Sequence, residues 1–163
     1  MTIGDICNRD VVVAERETTA QAAAKLMRQH HVGSLVVIDR KEGRRVPVGL
    51  VTDRDLIMEI HALDLDASVI AVGDILGKRL ITVSESCSAL KTVQIMRMEG
   101  VRRVPVVDHE GSLIGIVTLD DMIGRLAKEF KEIADAVTHE QTREVWLRPR
   151  AGGGMLRPRS ITA

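Results

Sequence analysis

The chain has 163 residues, of which 45% are hydrophobic and 28% are charged, and its 23 basic residues balance its 23 acidic ones. This composition is typical of a soluble globular protein, and the zero net charge gives no basic excess of the kind that duplex-binding proteins carry. Phe130 and Trp146 are the only aromatic residues, which excludes base stacking on rings for most of the chain.

The sequence carries neither a membrane signal nor a cysteine framework. It has no run of 18 apolar residues, and its first ten residues lack the basic and apolar regions of a signal peptide, so we expect a cytoplasmic protein with no membrane role. Cys7 and Cys87 are interpreted as buried free thiols, because two cysteines form neither a spaced metal set nor a disulfide framework.

An internal repeat organises the chain. The segment Ile3–Ile6 recurs as Val72–Ile75, with an offset between the two glycines of 73 − 4 = 69. Further along, Gly49 maps onto Gly115, so that the offset falls to 115 − 49 = 66. We therefore expect three extra residues within 41–46 of the first copy, where a hairpin loop tolerates insertion.

In the first copy, a short apolar strand at Val11–Val13 leads to a helix that begins at Thr18-Thr19 and runs to about His30. Its predicted buried stripe has the i, i+3, i+4, i+7 spacing of an amphipathic helix and consists of Ala20, Ala23, Ala24 and Met27. Two near-continuous apolar runs predict a buried hairpin, and a second helix starts at Asp53. The two runs are Leu35–Ile38 and Val48–Val51.

The second copy follows the same order. A strand at Leu80–Val83 precedes a helix from Ser86–Ser88 to about Glu99, with a stripe of Ala89, Thr92, Val93 and Met96. The hairpin strands are Val104–Val107 and Leu113–Val117, and one long helix runs from Leu119 to about Val145. That helix has a stripe that we expect to pack on the two repeats or on a second subunit, consisting of Met122, Leu126, Phe130, Ile133 and Val137.

These elements predict an α+β fold of two pseudosymmetric β-α-β-β-α repeats. One copy of about 60 residues is marginal alone, so we expect the repeats to pack sheet to sheet and to leave two equivalent clefts. We place the first repeat at 1–66, the second at 67–130 and a helix extension at 131–145. Residues 146–163, rich in glycine and arginine, predict a flexible tail or a docking peptide for a partner.

Each copy carries the pattern G-x-x-T-x-x-D after its hairpin and before its last helix, as Gly49–Asp55 and Gly115–Asp121. Together with the apolar runs that end in Asp39 and Asp108, these motifs resemble those of the cystathionine-β-synthase (CBS) domain family, over about residues 1–130. The resemblance implies a disc-like module of paired repeats. Members of that family bind AMP, ADP, ATP, S-adenosylmethionine or NAD-type dinucleotides, often dimerise, and regulate enzymes, channels and transporters.

The T-x-x-D part of the motif has two compatible interpretations. It is a capping box, in which the threonine accepts from the backbone at the third helical position and the acid reaches back, a device that stabilises a helix by about 1 kcal/mol. It is also a ligand site, since a carboxylate can accept both hydroxyl protons of a ribose and a helix N-terminus attracts a phosphate. The motif glycine would let the backbone approach the ligand.

The cleft of the second repeat is the predicted tighter nucleotide site. Thr118 and Asp121 would bind the ligand in this cleft. The resemblance implies that the basic residues Arg102 and Arg103 contact its phosphates. The resemblance also places the adenine of a bound ligand against Val11, Val12 and Val32 of the first repeat. The cleft of the first repeat would correspondingly use Thr52, Asp55, Leu80, Ile81 and Val101, and it has only Arg54 as a substitute for the arginine pair.

The leading hypothesis is a regulatory sensor that binds an adenine nucleotide, AMP first, and signals to a partner protein by changing conformation. It requires no cofactor, forms a homodimer and binds no nucleic acid. The alternatives are a structural or interaction module with vestigial clefts, and a binder of NAD or S-adenosylmethionine. An enzyme is not expected, because no spacing in the sequence predicts a catalytic nucleophile, a pair of carboxylates for acid–base catalysis or a set of metal ligands.

Overall fold

The computed structural model describes residues 2–77 and 79–147, with side chains as far as residue 140. The first repeat contains β1 (Val13–Glu15), α1 (Ala20–His30), β2 (Ser34–Lys41), β3 (Arg44–Thr52) and α2 (Asp53–Glu59). The second contains β4 (Val83–Ser84), α3 (Ala89–Glu99), β5 (Arg103–Val107), β6 (Leu113–Thr118) and α4 (Leu119–Leu147). Short 3-10 helices lie at Ile3–Asp5, His61–Leu63 and Val72–Ile75.

Each repeat forms a sheet of three strands, in the orders β1-β2-β3 and β4-β5-β6. The first pair of strands in each sheet is parallel and the second pair is antiparallel, with Val13 beside Val36 and Val83 beside Val106. The predicted α+β fold of two β-α-β-β-α repeats is therefore confirmed.

The helix starts follow from local capping chemistry and lie where the sequence predicts them. Thr19 Oγ accepts from the Ala22 N–H at 3.2 Å, and Ser88 Oγ accepts from the Lys91 N–H at 3.3 Å. Both helices end in a left-handed residue, which is Gly100 in α3. Glycine adopts that conformation without steric cost and so ends the helix cleanly.

Two predicted strands are shorter and later than expected. The strand predicted at Val11–Val13 is β1 and begins at Val13, and the strand predicted at Leu80–Val83 is β4 and begins at Val83. A strand exists only where a neighbour pairs with it, and in each repeat this pairing begins at the last residue of the predicted run. The apolar residues that precede each strand lie beside the clefts described below.

The core is aliphatic and has three parts, one in each repeat and one between the two sheets. The inter-sheet cluster consists of Val36 and Ile38 from β2 and Leu113 from β6, so the predicted sheet-to-sheet packing is confirmed. On α1 the buried residues are Ala20, Ala23 and Met27, whereas Ala24 is exposed, so its assignment to the buried stripe is wrong. The sequence pattern therefore predicts a wider buried face on α1 than the structure shows.

The repeats exchange their leading segments, which the sequence did not predict. Ile3 is fully buried in the core of the second repeat, where its N–H donates to Cys87 O at 2.8 Å. Val72 is likewise fully buried in the core of the first repeat, and its N–H donates to Thr18 O at 2.8 Å. Each repeat therefore completes the core of the other, which makes the two halves one cooperative structure.

Residues up to Ile123 form one compact unit, and the described residues from Gly124 onwards form a second. The long helix predicted to end near Val145 is α4 and ends at Leu147. Of its predicted stripe, Met122 is buried and the other four side chains are exposed. Most of the predicted tail, from residue 148 on, lies outside the described residues. No helix in the described part of the chain is both long and apolar enough to cross a membrane.

Candidate functional site

The two T-x-x-D motifs form identical capping boxes. The Thr118 N–H and Oγ donate to Asp121 Oδ2 at 2.8 and 2.7 Å, and Thr118 Oγ accepts from the Asp121 N–H at 3.1 Å. Thr52 and Asp55 repeat this arrangement with distances of 2.8, 2.8 and 3.1 Å. Within residues 2–77 and 79–140, Oδ1 of each carboxylate accepts no hydrogen bond, so capping occupies only one oxygen of each acid.

The Asp121 cleft, predicted as the cleft of the second repeat, has a volume of about 220 Å³. It brings six of the predicted residues together: Thr118, Asp121 and Arg103 from the second repeat with Val11, Val12 and Val32 from the first. Its other lining residues were missed by the sequence reasoning and are Asn8, Asp10, Gly33, Ser34, Val36 and Ile116. The acid at the start of α4 thus faces an aliphatic wall from the opposite repeat.

Arg102 does not line this cleft, although the sequence placed it there beside Arg103. Its side chain is 75% exposed and lies 3.8 Å from the Asp120 carboxylate. Arg103 is the first residue of β5, and neighbouring residues of an extended chain point in opposite directions. One arginine of the pair can therefore enter the cleft while the other remains in solvent.

The Arg79 cleft, predicted as the cleft of the first repeat, has a volume of about 180 Å³. It contains the predicted Leu80, Ile81 and Val101, and its other lining residues are Gly49, Leu50, Gly77, Arg79, Arg103 and Pro105. Thr52 and Asp55 do not line it, and neither does Arg54. We expected a cleft without an arginine pair, but Arg79 and Arg103 both border it.

The two clefts are equivalent in position and different in charge. The repeat offset of 79 − 10 = 69 relates Arg79 of one cleft to Asp10 of the other, and the same offset relates the aliphatic walls. The Asp121 cleft is lined by two acids, Asp10 and Asp121, and by Arg103. Among the described residues, the lining of the Arg79 cleft has two arginines and no acid. Carrying the repeat offset through every site residue would have revealed this asymmetry from the sequence.

Arg103 lies between the clefts and borders both. Its Nη1 donates to Ser34 Oγ at 2.7 Å, which holds the guanidinium at the mouth of the Asp121 cleft. A β-carbon on Gly33 would lie at ordinary contact distances, 3.4 Å from Asp53 Oδ2 and 3.9 Å from Arg103 Nη1, so glycine is not required there for space. Ser34 is thus the residue of the first repeat that accepts the arginine of the second.

The motif glycines have a structural role that differs from the expected one. A β-carbon on Gly115 would lie 2.6 Å from Cys7 Sγ and 3.0 Å from Asn8 O, and one on Gly49 would overlap Leu76. Cys7 and Leu76 belong to the exchanged leading segments, so each glycine accommodates the chain of the opposite repeat, and Gly49 also lines the Arg79 cleft. Asn8 also exchanges two backbone hydrogen bonds of 2.9 Å with Ile116.

The described residues hold no set of side chains suited to metal binding. No group of three or more His, Cys, Asp or Glu within 2–77 and 79–140 could hold a metal ion. Burial raises the pKa of the Cys7 thiol, which favours its protonated form.

Comparison with known proteins identifies both repeats. The CBS domain pattern matches residues 3–62 and 72–128. An uncharacterized protein of Methanopyrus kandleri is 34% identical over 123 residues, which are 76% of this chain and 61% of that protein. Hypoxic response protein 1 of Mycobacterium tuberculosis is 32% identical over 125 residues, which are 77% of this chain and 85% of that protein.

Solved structures agree with the sequence comparison. A crystal structure of Hypoxic Response Protein I with two coordinated zinc ions gives a TM-score of 0.66 and covers 76% of this chain and 97% of that one. The CBS domain protein PAE2072 from Pyrobaculum aerophilum, complexed with AMP, is 26% identical, has a TM-score of 0.67 and covers 74% of this chain and 89% of that one.

Proposed function

This chain belongs to the CBS domain family, and from that premise we propose that it is a regulatory module that binds an adenosine-containing ligand in the Asp121 cleft. The observation that carries the proposal is the position of Asp121. Its Oδ1 is left open by the capping box, and it lines a cleft whose far wall comes from the other repeat. A carboxylate held in this way is ready to accept hydroxyl protons.

Each part of an adenosine monophosphate has a matching partner in the cleft. The ribose diol would donate to Asp121, and the adenine would lie against Val11, Val12 and Val32, since the described lining of the cleft contains no aromatic side chain. The phosphate would be bound by the Arg103 guanidinium, which offers paired N–H donors to phosphate oxygens. The dipole at the start of α4 would favour the anion further.

The charges in the cleft favour AMP over nucleotides with longer phosphate chains. Of the described residues that line the Asp121 cleft, Arg103 is the one basic residue, and Asp10 adds a second acid to Asp121. Each further phosphate of ADP or ATP would bring negative charge towards Asp10 without a further cation to receive it. AMP is therefore the first choice, and NAD and S-adenosylmethionine remain the alternatives.

The Arg79 cleft would act as a different site. Its two arginines attract anions, but the part of its lining that the structure describes contains no carboxylate to hold a ribose. We expect it to bind anions with little selectivity for adenosine, and the Asp121 cleft to be the tighter nucleotide site. Occupation of the Asp121 cleft would bridge the two repeats and so change the arrangement that a partner protein recognises. In this proposal the module is a cytoplasmic homodimer without catalytic activity.

Thermal unfolding with AMP, ATP, NAD and S-adenosylmethionine tests the proposal. A ligand at 100 times its dissociation constant stabilises the folded state by about 2.7 kcal/mol, which is an easily measured shift. Asp121→Asn should abolish the shift, because it removes the charge that accepts the ribose diol. Asp55→Asn is the matched control, since Asp55 has the same capping bonds and lines neither cleft.

The possible results separate the hypotheses. A shift that Asp121→Asn abolishes and Asp55→Asn preserves supports the Asp121 cleft as the site. Equal losses in the two variants would mean that the carboxylates act through folding alone. If none of the four ligands changes the melting temperature of the native chain, the clefts are vestigial and the module has a structural role.

A further inference from the structure

Four large apolar side chains lie exposed along α4, in the unit that begins at Gly124. They are Leu126, Phe130, Ile133 and Val137, with exposed fractions of 52%, 63%, 61% and 49%. Their spacing of four, three and four residues places them on one face of the helix, as in a coiled-coil seam. We call this face the α4 stripe. A monomer would leave all four side chains in water, at a cost proportional to their apolar area.

Small residues border the α4 stripe. Ala127 and Ala134 follow Leu126 and Ile133 directly, and all of Ala127, Ala134 and Ala136 are exposed. In a coiled-coil register these alanines lie at the edges of the seam, where long charged side chains are usual. Short side chains there let a second helix approach closely, so the face is shaped for another helix.

The charges along this part of α4 are divided between its two halves. Residues 124–131 contain Arg125, Lys128 and Lys131 against Glu129, a net charge of 3 − 1 = +2. Residues 132–140 contain three acids, Glu132, Asp135 and Glu140, and no Lys or Arg, a net charge of −3. A second copy of this helix in the antiparallel direction sets each basic half beside an acidic half, whereas a parallel copy sets like charges together.

We propose that two copies of this chain pair through their α4 stripes as antiparallel helices. In an antiparallel helix pair with a two-fold axis, residues that lie opposite each other have numbers with a constant sum. The α4 stripe meets this condition, because 126 + 137 and 130 + 133 both equal 263. Leu126 of one copy then meets Val137 of the other, and Phe130 meets Ile133. Such an isologous contact closes on itself and gives a dimer. The contact spans about 16 Å of helix, and it does not depend on nucleotide binding.

Sedimentation velocity of the full chain without nucleotide tests the pairing. The native chain should sediment as a dimer, and Phe130→Glu or Ile133→Glu should weaken the association by about tenfold or more, since a charge would be buried in the seam. Met98→Glu is the matched control, because Met98 is a 79% exposed apolar residue of α3 outside the stripe. Circular dichroism of each variant monitors folding.

The direction of pairing is tested by salt. Raising sodium chloride from about 50 to about 500 mM should weaken an antiparallel dimer, because screening removes the attraction between the basic half of one helix and the acidic half of the other. Association that strengthens with salt would overturn the antiparallel arrangement. A native chain that sediments as a monomer, or a dimer that neither stripe variant weakens, would overturn the α4 interface altogether. The Asp121→Asn variant should still dimerise, so a failure of the dimer proposal can be told apart from a failure of the nucleotide-binding proposal.

Discussion

Arg103 Nη1 donates a hydrogen bond to Ser34 Oγ at 2.7 Å, and these two residues occupy the same position in the two repeats, since 103 − 34 = 69. The bond therefore joins equivalent points of the pseudosymmetric halves. Because Arg103 borders both clefts, its guanidinium is shared by them. Among the described residues, the difference in charge between the clefts therefore comes from Asp10 and Asp121 on one side and Arg79 on the other.

Arg103→Ala should weaken AMP binding and leave adenosine binding nearly unchanged. The variant loses the guanidinium that faces the phosphate but keeps Asp121 and the valine wall. A hydrogen bond to a charged group contributes about 1.5–3 kcal/mol, so the expected loss for AMP is about 10- to 100-fold. Titration calorimetry with AMP and adenosine measures both affinities.

Arg102→Ala is the control for that experiment, because its side chain is 75% exposed and lies outside both clefts. It should leave AMP affinity unchanged at moderate salt. If Arg102→Ala reduces AMP affinity as much as Arg103→Ala does, the phosphate is steered by the general field of the arginine pair and the cleft geometry is irrelevant.

Asp10→Asn should shift the preference of the module towards longer phosphate chains. Asp10 is the second acid of the Asp121 cleft, at the position that Arg79 holds in the other cleft. Removing its charge relieves a repulsion of roughly 1 kcal/mol, the value for two unit charges about 4 Å apart at the dielectric of water, which corresponds to about fivefold in affinity. The ratio of ATP to AMP affinity should rise by that factor.

Glu17→Gln provides a charge-matched control for Asp10→Asn, since Glu17 is exposed and lines neither cleft. The ratio of ATP to AMP affinity should be the same in this variant as in the native chain. An equal rise in both variants would show that net charge, rather than the position of Asp10, sets the preference.

Thr118→Ala and Thr52→Ala should cost the same stability but differ in their effect on ligands. Each removes one capping hydroxyl with matching hydrogen bonds, so each should lower the free energy of unfolding by about 1 kcal/mol. Thr118 lines the Asp121 cleft and Thr52 lines neither cleft. AMP affinity should therefore fall in Thr118→Ala alone. Urea unfolding and calorimetry give the two quantities, and equal affinities would contradict a role for Thr118 in binding.

The features that the sequence predicted well are those fixed by neighbours along the chain. Thr19 and Ser88 cap their helices through bonds to residues three positions away, so their sequence alone locates the helix starts. The Thr118–Asp121 capping box is also local, whereas the aliphatic wall of its cleft was implied by the family resemblance. The family resemblance supplied the expectation that these two features face each other.

The features that were missed depend on distant parts of the chain. The pairing of β1 with β2 starts at Val13, two residues later than predicted, because the position of the neighbouring strand is set by the fold. The exchange of leading segments is a choice between two aliphatic cores, which apolar patterning cannot decide. Thr52 and Asp55 match the motif as well as Thr118 and Asp121 do, yet they do not line the corresponding cleft, which Arg79 and Arg103 of the other repeat border.

Gly115→Ala should destabilise the fold by about 1–3 kcal/mol, because its new methyl group would force Cys7 and Asn8 of the exchanged segment to move. The matched control is Gly124→Ala. A β-carbon on Gly124 meets nothing within 4 Å, and alanine in a helix is more favourable than glycine by roughly 0.5–1 kcal/mol, so this variant should be stabilised. Urea unfolding measures both changes.

Cys7→Ala in the Gly115→Ala background should restore part of the lost stability, because it removes the sulfur atom that lies 2.6 Å from the added methyl position. The Asn8 carbonyl, at 3.0 Å, remains close, so the recovery should be incomplete. A Gly115→Ala variant as stable as the native chain would mean that the leading segment packs loosely on the second repeat. The exchange of segments would then contribute little to joining the repeats, and the clefts between them would lack the rigid frame that ligand binding requires.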